Sequence, residues 1–333
     1  MRAIGFTEHG GPEVLKFVEV PDPEPGPGDL VVRVHAAGVN PVDAKVRVGT
    51  RGGPLDGPRI PGWDASGVVE TAGPGSRFKP GDEVYFAGDI GRPGAYAEKV
   101  AVDQRLVGRK PKSLTHAEAA AMPLTTLTAW EAFLECMGAR EGGADGVRGR
   151  NALIVGGAGG VGSIGIQVAM GVCGLDVVAT ASRPESRAFC ERMGARAVLD
   201  HTKDLKAQTQ ALGLEGYDYI LSTVDASNFG LMADLLNPVG ALCYIVPPPG
   251  PLDLSAFFPK RASLSFELMF ARARFGAEPE RQGFILERAS TLIDEGVLRT
   301  TLTRTLSWTD FVEAHRQIDS GHTLGKIVLE VLV

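Results

Sequence analysis

Three glycines, Gly157, Gly159 and Gly162, stand in G-x-G-x-x-G spacing after a short apolar run at residues 152–155. Behind them Val161, Ile164, Val168 and Val172 recur at helical spacing. The run predicts a buried strand, so the glycines fall on a strand-to-helix turn. The first glycine permits the tight turn, the second lets a phosphate approach the backbone, and the third lets helix close on strand. Free amides at the helix start, those of Gly160 and Val161 included, then suit a pyrophosphate. A lone motif of this kind is weak, but a second strand at residues 176–181 completes the unit. The competing reading is a glycine-rich core turn with no ligand.

The end of that second strand bears on which dinucleotide is bound. An acidic residue roughly 20 positions beyond the glycines would bond a ribose 2′-hydroxyl, as in NAD sites. Here the chain reads Thr180-Ala181-Ser182-Arg183-Pro184-Glu185-Ser186-Arg187. Ser182 is small and neutral, and Arg183 and Arg187 supply positive charge for a 2′-phosphate. Glu185 falls after Pro184, at the expected opening of the next helix. The pattern points to NADP(H), with either arginine as the phosphate partner and the other a solvated helix charge.

These residues need a scaffold, and the chain predicts two. Residues 1–5 and 15–20 read as a hairpin around His9-Gly10-Gly11-Pro12, and further short strands are expected at 30–37, 67–72, 83–86 and 95–102. Many short strands separated by Gly and Pro predict an all-β, barrel-like unit. Thr115 and Glu118 form a capping-box pattern at the start of an alanine-rich helix, and residues 128–135 read as another helix. A glycine-rich loop at 141–149 leads into the glycine motif. Strand-like runs at 177–181, 197–199, 219–224, 241–246 and 264–268 then alternate with helix-sized segments, the mark of a doubly wound parallel sheet. A helix at 282–296, a strand at 298–306, a helix capped by Thr309 and a last strand at 326–333 resemble the first unit and are expected to return to it. The expected organisation is 1–125, then 126–269, then 270–333 completing the first unit.

Composition narrows the function. The 333 residues are 44% hydrophobic and 22% charged, with a net charge of −6 and no basic block, which argues against nucleic acid. No apolar run reaches membrane-spanning length and the N-terminus lacks a signal-peptide pattern, so a cytoplasmic protein is expected. Cys136, Cys173, Cys190 and Cys243 are far apart in sequence, which predicts buried free thiols.

Longer strings carry a family resemblance over nearly the whole chain. Residues 37–43 (AGVNPVD), 61–67 (PGWDASG), 80–84 (PGDEV), 94–98 (GAYAE), 123–131 (PLTTLTAWE) and 321–328 (GHTLGKIV) resemble the quinone oxidoreductase branch of the medium-chain dehydrogenase/reductases. The resemblance is to a subgroup often named "zinc-binding alcohol dehydrogenase family protein". It implies an α/β fold of a GroES-like β-barrel-type domain plus a Rossmann domain. It also implies a dimer formed by sheet edges, through 241–246 or 264–268.

The same resemblance speaks against zinc. A catalytic zinc dehydrogenase has cysteine where this chain has Asn40, and Gly-His-Glu where it has Gly62-Trp63-Asp64. No third ligand and no four-cysteine lobe match, so no zinc is expected. Hydride transfer then suits quinones and α,β-unsaturated carbonyls, with protein hydrogen bonds stabilising the developing charge. The resemblance places Asn40 at the mouth of the active site as a donor to a carbonyl, with holding the turn before Pro41 as its alternative role. Lys45 would stabilise an oxyanion or deliver a proton. Thr128, Val246 and Lys326 would lie near the cofactor, and His201 near the 2′-phosphate. Trp63 and Phe270 would wall an aromatic substrate pocket. The expectation is a zinc-independent NADPH-dependent reductase of quinones or enones. Its alternatives are a zinc alcohol dehydrogenase with atypical ligands and a non-catalytic NADPH-binding or redox-sensing protein.

Overall fold

Alternating short apolar strands, broken by Gly and Pro, build the first unit, Met1–Leu127 with Phe270–Val333. The structure is a computed structural model that describes residues 1–49, 53–143 and 150–331. The opening hairpin pairs Arg2–His9 antiparallel with Lys16–Glu19, and Gly53–Arg59 joins its other edge. The larger sheet runs Leu302–Ser307, Lys326–Glu330, Asp29–Val39, Asp64–Ala72, Glu83–Phe86, Val107–Arg109, and Lys99–Asp103 also pairs with Asp29–Val39. Its core is aliphatic and aromatic: Val32, Val34, Val69, Val84, Phe86 and Ile327 are all buried.

Register in this sheet does the positioning. Asp29–Val39 lies antiparallel between its two neighbours, with Gly38 opposite Asp64 and Val39 opposite Ile327. The end of the central strand therefore meets the beginnings of both flanking strands. Asn40, Asp64 and Lys326 are carried to one edge of the sheet from three distant parts of the sequence.

The second unit, Thr128–Met269, is the parallel sheet. Its order is Ala197–Leu199, Asp176–Thr180, Asn151–Val155, Tyr217–Ser222, Leu236–Tyr244, Ser263–Phe266, every pair parallel. In chain order this is the 3-2-1-4-5-6 winding of a dinucleotide-binding sheet. Asn151–Val155 is buried throughout, as an apolar strand covered on both faces must be.

Several local expectations are corrected. The run at 241–246 belongs to Leu236–Tyr244, which is paired on both sides, so only Ser263–Phe266 remains as an edge on that flank. Thr309 does not cap the last helix: it lies in a 3₁₀ turn, Trp308–Asp310, where Ser307 Oγ accepts from its amide. The helix at 128–135 begins earlier, as Pro123–Trp130, and continues as a wider π turn over Glu131–Cys136. A helix not foreseen, Pro41–Val48, follows Asn40 directly. Cys136 and Cys243, distant in sequence, meet in space, and that neighbour together with burial holds the Cys243 thiol well above its usual range. Residues 144–149 of the glycine-rich loop and 332–333 of the last strand lie outside the described residues.

Candidate functional site

In the second unit the strand Asn151–Val155 turns into the helix Gly160–Gln167 through the glycines. A Cβ on Gly157 would come within 2.7 Å of Ala179 Cβ, and one on Gly162 would collide with the Gly156 carbonyl. Those two glycines are packing requirements. A Cβ on Gly159, in contrast, meets nothing closer than 3.6 Å. Gly159 is the N-cap of the helix and no side chain among the described residues caps it, so the amides of Gly160 and Val161 are among those a helix start leaves without an intrahelical partner. The turn is tight where protein meets protein and open where an anion would sit.

The next strand, Asp176–Thr180, leads to half-buried Ser182 and the helix Pro184–Met193. Arg187 Nη1 donates to Ala181 O at 3.3 Å, which lays its guanidinium across the strand end beside Ser182. Arg183 pairs with Glu185 at 3.4 Å on the surface. His201 is exposed in the turn after Ala197–Leu199, and half-buried Val246 follows Leu236–Tyr244. Thr128 is buried in Pro123–Trp130. These residues, from the glycines to Arg187, fit a phosphorylated dinucleotide: backbone amides for the pyrophosphate, a neutral strand end with a cation for the 2′-phosphate.

In the first unit Asn40, Asp64 and Lys326 form a closed knot. Asn40 is the N-cap of Pro41–Val48, and its backbone amide donates to Asp43 Oδ2 at 2.8 Å. Through its backbone Asn40 thus stands at the turn before Pro41. Its side chain does more. Lys326 Nζ donates to Asn40 Oδ1, to Asp64 Oδ2 at 2.9 Å and to Val39 O at 3.1 Å. Asn40 Nδ2 donates to Asp64 Oδ2 at 3.0 Å, and Leu124 N, in the first turn of its helix, donates to Asp64 Oδ1 at 2.9 Å. All three side chains are buried. Beneath them Asp43 also accepts from Gly62 N and Tyr96 Oη, yet burial pushes its carboxyl up to about 7.

Other expected residues fare differently. Lys45 stands on the exposed face of Pro41–Val48. Trp63 and Phe270 do come together, edge to face at 6.2 Å, and both are buried, with Trp63 Nε1 donating to Arg92 O at 3.2 Å. The sequence reading overlooked Arg47. Its buried guanidinium grips both oxygens of Asp319 at 2.9 and 2.6 Å and ties Pro41–Val48 to the helix Phe311–Asp319. Spacing gives no sign of such a pair.

Comparisons with known proteins agree with this architecture. Residues 26–112 match the alcohol dehydrogenase GroES-like domain, and residues 193–329 match the zinc-binding dehydrogenase family. A zinc-type alcohol dehydrogenase-like protein of Staphylococcus aureus is 35% identical over 343 residues, spanning 99% of this chain and 100% of its own. A "putative zinc-dependent alcohol dehydrogenase protein" of Rhizobium etli has a crystal structure with TM-score 0.92 and 43% identity, covering 100% and 98% of the two chains. A mycobacterial protein solved with NADPH aligns at TM-score 0.83 and 30% identity over 99% of each chain. The quinone oxidoreductase of Coxiella burnetii aligns at 0.80 and 27%, over 100% and 99%.

The zinc in the first two descriptions is testable against the residues present. A catalytic zinc needs three protein ligands and an open fourth position. Here Asn40 Oδ1 and Asp64 Oδ2 already hold the ammonium of Lys326, so a dication brought to them would meet a buried like charge. Trp63, where the resemblance expects a histidine, has only an indole N–H donor and no lone pair for a metal. The donor set does not fit zinc.

Proposed function

The chain belongs to the medium-chain dehydrogenase/reductases, and from that premise we propose that it is a zinc-independent, NADPH-dependent reductase of quinones or α,β-unsaturated carbonyl compounds. One observation carries the zinc-free part: Lys326 Nζ sits 2.9 Å from Asp64 Oδ2 and is bonded to Asn40 as well. A fixed monocation occupies the carboxylate that a metal site would need.

Bound dihydronicotinamide supplies the hydride. The chain's own residues bind, orient and stabilise. Gly160 and Val161 offer backbone amides to the pyrophosphate, Gly159 leaves room for its approach, and Gly157 and Gly162 let that turn close. Ser182 leaves room for a 2′-phosphate and Arg187 supplies the charge, with Arg183 held by Glu185. In this reading Thr128, Val246 and His201 are secondary cofactor contacts. Asn40 Nδ2 donates to the acceptor's carbonyl oxygen as negative charge develops there. Lys45, exposed on the same helix, is a solvent-side proton source rather than a buried oxyanion partner. Trp63 and Phe270 offer an aromatic wall that suits a planar acceptor.

The test is NADPH oxidation by metal-stripped protein with an ortho-quinone, with NADH run in parallel. Turnover that prefers NADPH is expected. Activity that appears only after zinc is restored would overturn the metal-free reading, and a preference for NADH would overturn the role given to Arg187. We also propose that two copies pair along Ser263–Phe266, the open edge of the parallel sheet, where Phe266 is half exposed. Light scattering at a monomer mass would refute that.

A further inference from the structure

The family resemblance puts Lys326 near the cofactor, and the fold shows what its ammonium holds. An ammonium has three hydrogens, and three oxygens meet this one: Val39 O, Asn40 Oδ1 and Asp64 Oδ2. An ammonium can only donate and a carboxylate can only accept. The two neighbours therefore dictate which way round the Asn40 amide stands, with oxygen on Lys326 and nitrogen on Asp64. A flipped amide would set Nδ2 against the ammonium and Oδ1 against the carboxylate. Lys326 is 3% exposed, Asp64 0% and Asn40 1%, so solvent screens those two repulsions little.

Resting on the reading of Asn40 as the donor to the acceptor's carbonyl, we propose that Lys326 is a positioning residue that fixes the polarity of that donor and with it the polarity of the substrate. Asn40 Oδ1 is withdrawn from chemistry by the ammonium. One Nδ2–H is spent on Asp64, and the second N–H is what Asn40 has left to offer. Such a group stabilises an oxygen that accepts a hydrogen bond, as a carbonyl or quinone oxygen does while gaining charge. It cannot receive the proton of an alcohol. The knot thus selects an acceptor that presents a bare oxygen to Asn40 and leaves the proton to come from elsewhere, with the lysine charge built into the chain.

The experiment compares Lys326→Met/Asp64→Asn, which removes the charge pair without stranding a carboxylate, with Asn40→Ala and the triple variant. Steady-state kinetics with NADPH and a quinone are read beside NADPH binding by fluorescence. Hydrogen exchange of the asparagine side-chain amides is followed by NMR on asparagine-labelled protein, with Asn40 assigned by its absence in Asn40→Ala. In the pair variant kcat is expected to fall about tenfold or more with NADPH affinity unchanged, a loss of orientation rather than of cofactor binding. That loss should vanish once Asn40 is alanine, because nothing is left to position. The Asn40 amide should exchange slowly in the wild type and quickly in the pair variant, and Lys326→Arg should restore much of the protection. An equal loss with and without Asn40, or unchanged exchange in the pair variant, would overturn the proposal. So would a wild-type Asn40 amide that exchanges as fast as an exposed asparagine, whether or not the variants fold. If the wild type reduces no acceptor, the proposed function fails, and the exchange data still decide whether Lys326 holds Asn40.

Discussion

At the end of Asp29–Val39 charged side chains close on one another, whereas at the end of Asn151–Val155 the backbone is left open. In the first place Lys326 spends its three hydrogens on Val39, Asn40 and Asp64. In the second, Gly159 starts a helix with no side-chain cap and with space around its Cα. Both lie at strand ends, but one is completed by residues far apart in sequence and the other, in the proposed reading, waits for a ligand. A closed knot costs stability when one member is removed. An open turn costs binding.

The largest effect should follow from breaking the knot on one side only. Lys326→Met strands the Asp64 carboxylate, and removing one partner of a buried ion pair costs about 3–5 kcal/mol. Urea denaturation should show that loss, while Lys326→Met/Asp64→Asn should recover most of it. A loss under ~1 kcal/mol for the single variant, the range of an exposed pair, would mean that water reaches the knot.

Next come the glycines, which divide the turn into packing and binding positions. Gly162→Ala drives a Cβ into the Gly156 carbonyl and should cost about 1–3 kcal/mol of stability, as overpacking does. Gly159→Ala has room and should leave the melting temperature nearly unchanged while weakening NADPH binding. Equal melting temperatures for the two variants would erase the distinction.

These two centres were not equally legible in the sequence. The glycine turn is local: strand, turn and helix lie within residues 151–167, so spacing and apolar periodicity reveal it. The parallel winding also follows from alternating elements. The knot is non-local. In the sequence Asn40 and Asp64 stand out only as departures from a metal-ligand pattern, and Lys326 only through a family resemblance that puts it near the cofactor. Their meeting depends on register, Gly38 opposite Asp64 and Val39 opposite Ile327, which no spacing within one segment encodes. Arg47 with Asp319 and Cys136 with Cys243 escaped for the same reason. The helix Pro41–Val48 was missed because it is short and half polar, although Asn40 and Pro41 are a cap and a first-turn residue.

The proposed preference for the phosphorylated cofactor sharpens the open side of the comparison. Arg187 lies against Ala181 O, at the strand end where an NAD enzyme would carry an acid. Arg187→Ala should lower the NADPH-over-NADH preference in kcat/KM about tenfold, the worth of one charge-assisted hydrogen bond, with stability unaffected. Arg183→Ala should do less, because Glu185 already shares its charge. A larger effect from Arg183 would exchange the two roles.

The smallest effect concerns the helix that backs the closed knot. His315 is fully buried on Phe311–Asp319, its ring edge-on to Tyr96 at 5.9 Å, and neither ring nitrogen has a hydrogen-bond partner among the described residues. Burial, with Arg47 adding to it and Asp319 opposing, pulls its pKa from 6.5 down to about 4. The folded ring is therefore neutral where an unfolded one takes a proton. Between these two values the unfolded state binds more protons, so stability falls as pH falls from 6.5 toward 4 and is untouched above 6.5. Asp43, raised to about 7, acts with the opposite sign: its carboxylate is disfavoured in the fold, so its contribution declines as pH rises toward 7. The two partly cancel in the wild type, and only a difference between variants separates them. His315→Phe keeps an aromatic ring beside Tyr96 and removes the titration. On going from pH 7.5 to 5.5 the wild type should lose about 1 kcal/mol more than the variant, the linkage expected for that shift. Parallel pH profiles would mean that His315 is protonated inside the fold, with Asp319 rather than Arg47 setting its charge.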